Sequence, residues 1–155
     1  DHRDLHSFPT RRSSDLVLIP LPEEWPDDKK RSALSALFFA VGEHHLRASF
    51  ERICREVPHL FGSHLEGAHL PKLNLRTASS RWGSCNSKGH IMLNRRLYGA
   101  PQWVIDYVIL HELCHLKFMG HHAQFWELLN SVDPNVAKAK QWLKHHQGTL
   151  MTIQL

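Results

Sequence analysis

His111, Glu112 and His115 stand in the run His111-Glu112-Leu113-Cys114-His115, and His121 follows six residues later, giving H-E-x-x-H-x-x-x-x-x-H. On an α-helix, positions i and i+4 lie one above the other on the same face, so His111 and His115 can offer two imidazoles to one metal ion. Glu112 would sit about 100° round the helix from His111, within reach of a water beside the metal without displacing a ligand. Neutral imidazoles bind Zn²⁺, and a carboxylate can take the proton from a water whose pKa zinc has lowered to about 7. The types and the spacing therefore point to a zinc-dependent hydrolase, with Glu112 as general base. The opposing reading is coincidence, which fourteen histidines in the chain make easier. Against it, the preceding segment Trp103-Val-Ile-Asp-Tyr-Val-Ile-Leu110 is apolar almost all round, the mark of a buried helix. Two imidazoles and a carboxylate are costly to bury there without partners, and a metal supplies one.

Two protein ligands make a poor zinc site, so a third must come from beyond this turn. On a continuous helix His121 would lie about 600° round from His115 and point away. Met119-Gly120 offers a break, since glycine in the left-handed region commonly ends helices. The chain could then turn back and present His121 as third ligand. His122 is the rival, and Glu127 a weaker one. The same spacing occurs in the metzincin pattern, although Phe118 stands where that pattern has glycine.

Several elements must position these groups. A long helical segment is expected from Pro26 to about Val57, with Leu34, Leu37, Phe38, Val41, Leu46, Phe50, Ile53 and Val57 turned inward and Gly42 as a possible break. His44 and His45 in its middle read as surface or packing residues. Residues 59–71 form a loop in which His59, His64 and His69 have no ligand geometry. Leu73–Ala78 alternates as a half-buried strand, and His90–Arg95 is a second, more apolar one. The turn chemistry of Asn86-Ser-Lys-Gly89 makes residues 73–95 a β-hairpin. Pro101 stands near the first position of the helix that carries His111. Helices over roughly 122–131 and 134–146 follow, their aromatics expected in the core. The fold class is α+β: helices on a small antiparallel sheet.

The chain has 155 residues, 42% hydrophobic and 22% charged, which suits one soluble globular domain. Residues 1–15 lack any hydrophobic period and read as a non-native or disordered leader. Residues 16–150 read as a single, N-terminally truncated domain and 151–155 as a tail. Leu16–Pro22 reads as a short extended stretch. No apolar run approaches the roughly 20 residues of a membrane span. Cys54, Cys85 and Cys114 are odd in number and far apart, which fits a reducing cytoplasm better than a disulfide framework. The net charge of +4 permits anionic partners without demanding them.

Three blocks together resemble a known family. They are Ser80-Arg-Trp-Gly-Ser-Cys85 with Gly89-His-Ile-Met-Leu-Asn94, then Tyr107-Val-Ile-Leu-His-Glu-Leu-Cys-His-Leu116, then His121-His-Ala-Gln-Phe-Trp126. The chain resembles, from about residue 30 to 146, the YgjP-like metallopeptidase-domain family of metal-dependent hydrolases, which is related to the SprT-like and WLM zincins. The resemblance implies a zincin-like fold, His111, His115 and His121 as metal ligands, and Glu112 as catalytic residue. Against the family pattern, the β-rich N-terminal portion is missing, His122 replaces a small polar residue, and Cys114 stands where alanine is frequent. Arg81 is an open candidate for stabilising an oxyanion or an anionic substrate group, whereas Trp82 and Cys85 read as structural.

The expected substrate is a peptide lying along a strand edge of the hairpin beside the cleft. One rival is a nucleoside-triphosphate phosphohydrolase with Arg81, Arg95 and Arg96 on the phosphates, although three histidines favour zinc over the oxygen-seeking Mg²⁺. A second is a DNA-associated protease like the SprT-like relatives, for which no zinc ribbon or dense basic tail speaks. A third is a non-catalytic module with a closed structural zinc site, its fourth position filled by His122 or Cys85.

Overall fold

The computed structural model describes residues 20–60 and 70–152. The expected leader, most of the extended stretch over 16–22 and most of the loop over 59–71 lie outside them. The chain divides into two compact units, Asp1–Leu34 and Ser35–Leu155. In the first, the Trp25 amide closes a turn on the Pro22 carbonyl at 3.2 Å, and the Lys29 ammonium lies 4.1 Å from the centroid of the Trp25 ring. Helix α1 (Asp27–Glu56) opens here, with Asp27 and Asp28 where negative charge complements its free N–H groups.

The second unit has the expected α+β architecture: among its described residues, the rest of α1 and three further α-helices accompany a three-stranded sheet. Its core helix is α2 (Gln102–Cys114), entered just after Pro101. Buried residues fall on every side of it, including Val104, Ile105, Val108, Ile109 and Leu113. A helix apolar all round needs cover all round, and α2 packs against the strands Gly83–Cys85 and Ile91–Asn94 as well as α3 (Ala123–Val132) and α4 (Val136–Met151). Helix α4 runs on to Met151 instead of stopping near 146, because Leu150 reaches back into the core.

The sheet departs from the expected antiparallel hairpin. Its strands are β1 (Leu73–Arg76), β2 (Gly83–Cys85) and β3 (Ile91–Asn94), in the order β1-β3-β2. The turn over Asn86–Gly89 joins β2 to β3 as an antiparallel pair, with Ser84 opposite Met92, and β1 pairs with β3 in parallel, Asn74 opposite Met92. Turn chemistry was correctly located but closes a shorter hairpin. The Asn86 side-chain oxygen accepts from the Lys88 and His90 amides at 2.9 and 3.0 Å, and Gly89 takes φ +73°, which an L side chain rarely adopts. With β2 claiming one edge of β3, β1 is left the other, and the connection over 77–82 must cross the end of β3.

Helix α1 is the second departure. It is continuous through Gly42, which leaves room for the Tyr98 ring: a Cβ there would lie 2.8 Å from Tyr98 Cγ. Of the residues expected to turn inward, Leu46, Phe50 and Ile53 are buried, whereas Leu37, Phe38 and Val41 are exposed at 39%, 59% and 60%, against expectation. His44 and His45 are exposed, as expected.

Candidate metal centre

The end of α2 is set by a tight turn, and that turn also orients a histidine. The Leu116 and Lys117 amides donate to the Leu113 and Cys114 carbonyls at 3.0 and 3.1 Å, i→i−3 bonds that wind the helix down at His115. Gly120 is not in the left-handed region, so it does not end the helix as expected. A Cβ there would lie 2.8 Å from Nε2 of the exposed His122 ring, a contact that a turn of that side chain would relieve. Within the same turn, His115 Nδ1 lies 2.9 Å from the Phe118 carbonyl. A carbonyl can only accept, so Nδ1 carries the proton and Nε2 keeps its lone pair. An outer partner of this kind is what fixes the tautomer of metal-binding histidines.

His121, on the segment that returns from the turn, brings its Nε2 to 3.0 Å from His111 Nε2. One ligand atom from each of His111, His115 and His121 lies within 4.8 Å of the others, an arrangement that could hold a metal ion. Helix α3 builds the floor. Phe125, fully buried, stacks on the His115 ring at 4.5 Å between centroids and meets His111 and His121 edge-on at 4.9 and 4.8 Å. The Trp126 indole N–H donates to the His121 carbonyl at 3.2 Å, pinning that backbone.

Burial, joined by the charges of His115, His121 and Lys140, depresses the His111 imidazole to about 3. Burial, joined by the charges of His115, Lys140 and His122, lowers His121. His111 therefore presents a lone pair at neutral pH, as a ligand must. Its Nδ1 is buried with no hydrogen-bond partner. An imidazole with one nitrogen orphaned and the other facing a second imidazole nitrogen is poorly satisfied by protein groups alone, and a cation among the three rings suits it.

Glu112 projects beside this cluster, 6% exposed, and burial pushes its carboxyl up to about 7 while the Arg81 charge opposes the shift. Its other neighbour is Gly83 at the start of β2. A Cβ on Gly83 would lie 2.6 Å from Glu112 Oε1 and 2.7 Å from Cγ, so only glycine lets the strand lie this close to the carboxylate. Beyond them a cavity of about 200 Å³ opens, walled by Trp82, Tyr107, Val108 and Leu143 with His111 and Glu112 at its side.

Asn94 holds the crossing connection in place. It is fully buried, and its side-chain amide donates to the Ala78 and Arg81 carbonyls at 2.8 and 2.9 Å while its Oδ1 accepts from the Arg96 amide at 3.1 Å. Its own amide donates to the Trp82 carbonyl at 2.8 Å. Asn94→Leu strips these side-chain bonds, leaving the Arg81 carbonyl without this donor and the Ala78 carbonyl with that of Arg96. The variant is expected to lose about 2–3 kcal/mol and roughly 5–10 °C in Tm, read by thermal melts. An unchanged Tm would show that the connection is held elsewhere.

The residues singled out in the sequence divide cleanly. His111, Glu112, His115 and His121 come together, and Arg81 acts on Glu112 by its charge. Among the described residues the metal-compatible group has three members, and His122, Glu127 and Cys85 stay out of it. Arg95 is paired with Glu43, and the Arg96 guanidinium donates to the Ala78 carbonyl at 3.2 Å. Gly83, Asn94, Phe125 and Trp126 were not picked out as site residues. All four fall inside the three blocks quoted above, which was the available signal.

An α+β protein with three histidines converging beside a buried glutamate is, as a class, equipped to hold a metal ion. The chain belongs to the YgjP-like metallopeptidase-domain family, whose model matches residues 11–146. The comparison with curated proteins gave no match. The comparison with solved structures gave none either. Membership of this family supports a metal-dependent hydrolase of the metallopeptidase kind. Among the described residues no helix is long and apolar enough to cross a membrane.

Proposed function

We propose that this protein is a zinc-dependent peptidase in which His111, His115 and His121 hold Zn²⁺ and Glu112 is the general base. The observation that carries the reading is the convergence of three imidazole nitrogens within 4.8 Å. Tetrahedral zinc with bonds of about 2.05 Å holds its nitrogens roughly 3.3 Å apart, and the His111–His121 pair lies at 3.0 Å. Three neutral imidazoles are also zinc's preferred donors over those of Mg²⁺ or Ca²⁺. Among the described residues neither Cys85 nor His122 joins the group, which supports a site of three protein ligands with the fourth position left for substrate, as in catalytic zinc sites. When bound, the ion supplies Lewis-acid polarisation of the scissile carbonyl and acidifies water in the cleft.

The chain's own groups do the rest. The Glu112 carboxylate takes the proton of the attacking water and returns it to the leaving amine. Gly83 and the core around α2 keep that carboxylate in one position. The substrate lies extended along β2, an edge strand of the sheet, so that backbone pairing aligns the peptide bond with Glu112. The cavity beside Trp82 and Tyr107 receives one substrate side chain, and Arg81 serves an anionic substrate group or the oxyanion. The three free cysteines fit a reducing, cytoplasmic setting.

Metal content tests the ligand set. After zinc loading and dialysis, about one zinc per chain is expected for the unaltered protein and for His122→Ala. His115→Ala and His121→Ala should retain almost none. Zinc retention indifferent to His121, or lost with His122, would overturn the assignment.

A further inference from the structure

The inner face of the sheet, with Leu75, Ile91 and Leu93, is buried against α2, and the strand registers turn Asn74, Arg76, Ser84 and Met92 to the opposite side. That outer face carries a trough of about 480 Å³, and its lining has no carboxylate. Arg76 from β1, Arg81 from the crossing connection and His90 from the end of the hairpin turn line it. Asn74, Thr77 and Ser84 add neutral hydrogen-bonding groups between them. Arg76 and Arg81 are exposed, and among the described residues neither makes a salt bridge. Two guanidiniums without a salt bridge in one concave polar surface form a receptor for negative charge. Among the described residues the lining contains no Phe, Tyr or Trp, and the His90 imidazole alone makes a poor stacking platform for single-stranded nucleic acid.

Arg81 joins this trough to the metal centre. It lines the outer face, its charge acts on Glu112, and two residues later Gly83 touches the Glu112 side chain. A peptide lying along the edge strand β2 therefore has the trough beside it. We propose that Arg76 and Arg81 select substrates whose chain carries aspartate or glutamate residues flanking the scissile bond, with Arg76 as a specificity determinant remote from the chemistry. This rests on the peptidase reading and names its substrate class.

The test uses the zinc-loaded full chain and two fluorogenic peptides that differ only in flanking Glu or Gln residues. The acidic peptide should be cleaved with a kcat/KM roughly tenfold higher at low salt, the sum of two exposed charge pairs. Arg76→Glu should erase that preference, Arg76→Lys should keep most of it, and neither should alter cleavage of the neutral peptide. A preference absent from the unaltered protein, or intact in Arg76→Glu, would overturn the proposal while Glu112-dependent cleavage of the neutral peptide left the peptidase reading standing. If neither peptide is cleaved, that reading falls, and binding decides the selectivity alone. Fluorescence anisotropy of the labelled acidic peptide on the Glu112→Gln protein should show affinity that drops about tenfold in Arg76→Glu. No binding, or displacement of the peptide by a lower concentration of an oligothymidylate of equal charge, would overturn the acidic-peptide assignment.

Discussion

Glu112→Gln is expected to keep its zinc and lose hydrolysis by a factor of about 10²–10⁴ in kcat. The amide is nearly isosteric with the carboxylate, so the space beneath Gly83 stays filled and the three imidazoles are untouched. What disappears is the buried carboxyl beside the cluster, which could take a proton from water and give it back. A buried carboxyl pushed up to about 7 exchanges protons readily near neutrality, and an amide cannot. Zinc content and peptide cleavage measured on one preparation separate the two effects. A variant that hydrolyses as fast as the parent would remove Glu112 from the chemistry and favour a structural metal; a variant without zinc would show that Glu112 supports the ligands.

Gly83→Ala is the second large effect, and it tests position instead of chemistry. The new methyl carbon would begin 2.6 Å from Glu112 Oε1, with Cγ and Cδ at 2.7 and 2.9 Å, so either β2 or the glutamate must move by close to an ångström. Neither moves easily: β2 is clamped by its ladder to β3, and Glu112 is 6% exposed on the most buried helix. Displacement of a catalytic group on that scale costs about 10²-fold in rate. Zinc binding should survive, because the atoms nearest a Cβ at Gly83 all belong to Glu112 and not to the three histidines. Full activity in Gly83→Ala would mean that Glu112 works from a different rotamer. Loss of zinc would mean that strand and ligands are mechanically coupled.

Much of this arrangement was legible in the residues themselves. The all-round apolar run before His111 announced a helix buried on every side, and α2 is that helix. Asn86 and Gly89 announced a turn by their side-chain acceptor and backbone freedom. Spacing suggested that a third ligand had to return from beyond the turn, with His121 favoured over His122 and Glu127, and the family resemblance pointed to His121. Sheet pairing was not legible, because β2 is only Gly83–Cys85, too short for an alternation to declare it a strand. Its pairing comes from the turn and from Asn94, neither of which signals a strand partner. The role of Gly83 was hidden for a related reason: no periodicity connects it with Glu112, and only the packing of a strand on a helix brings them together. The apolar residues early in α1 misled in the opposite direction, because helical spacing records which face is apolar and not whether anything covers it.

The turn over His115–Phe118 has a thermodynamic consequence. It selects the nitrogen that His115 presents, and the segment after it delivers His121, so forming the turn and assembling the ligand set are one event. On the proposed reading, the ion is a clasp between the end of α2 and the start of α3, and its binding free energy is shared with the folding of residues 115–122. Each tenfold rise in free zinc above its dissociation constant then adds about 1.4 kcal/mol to the folded state. The conformational stability of this corner of the protein becomes a readout of how much zinc its surroundings supply.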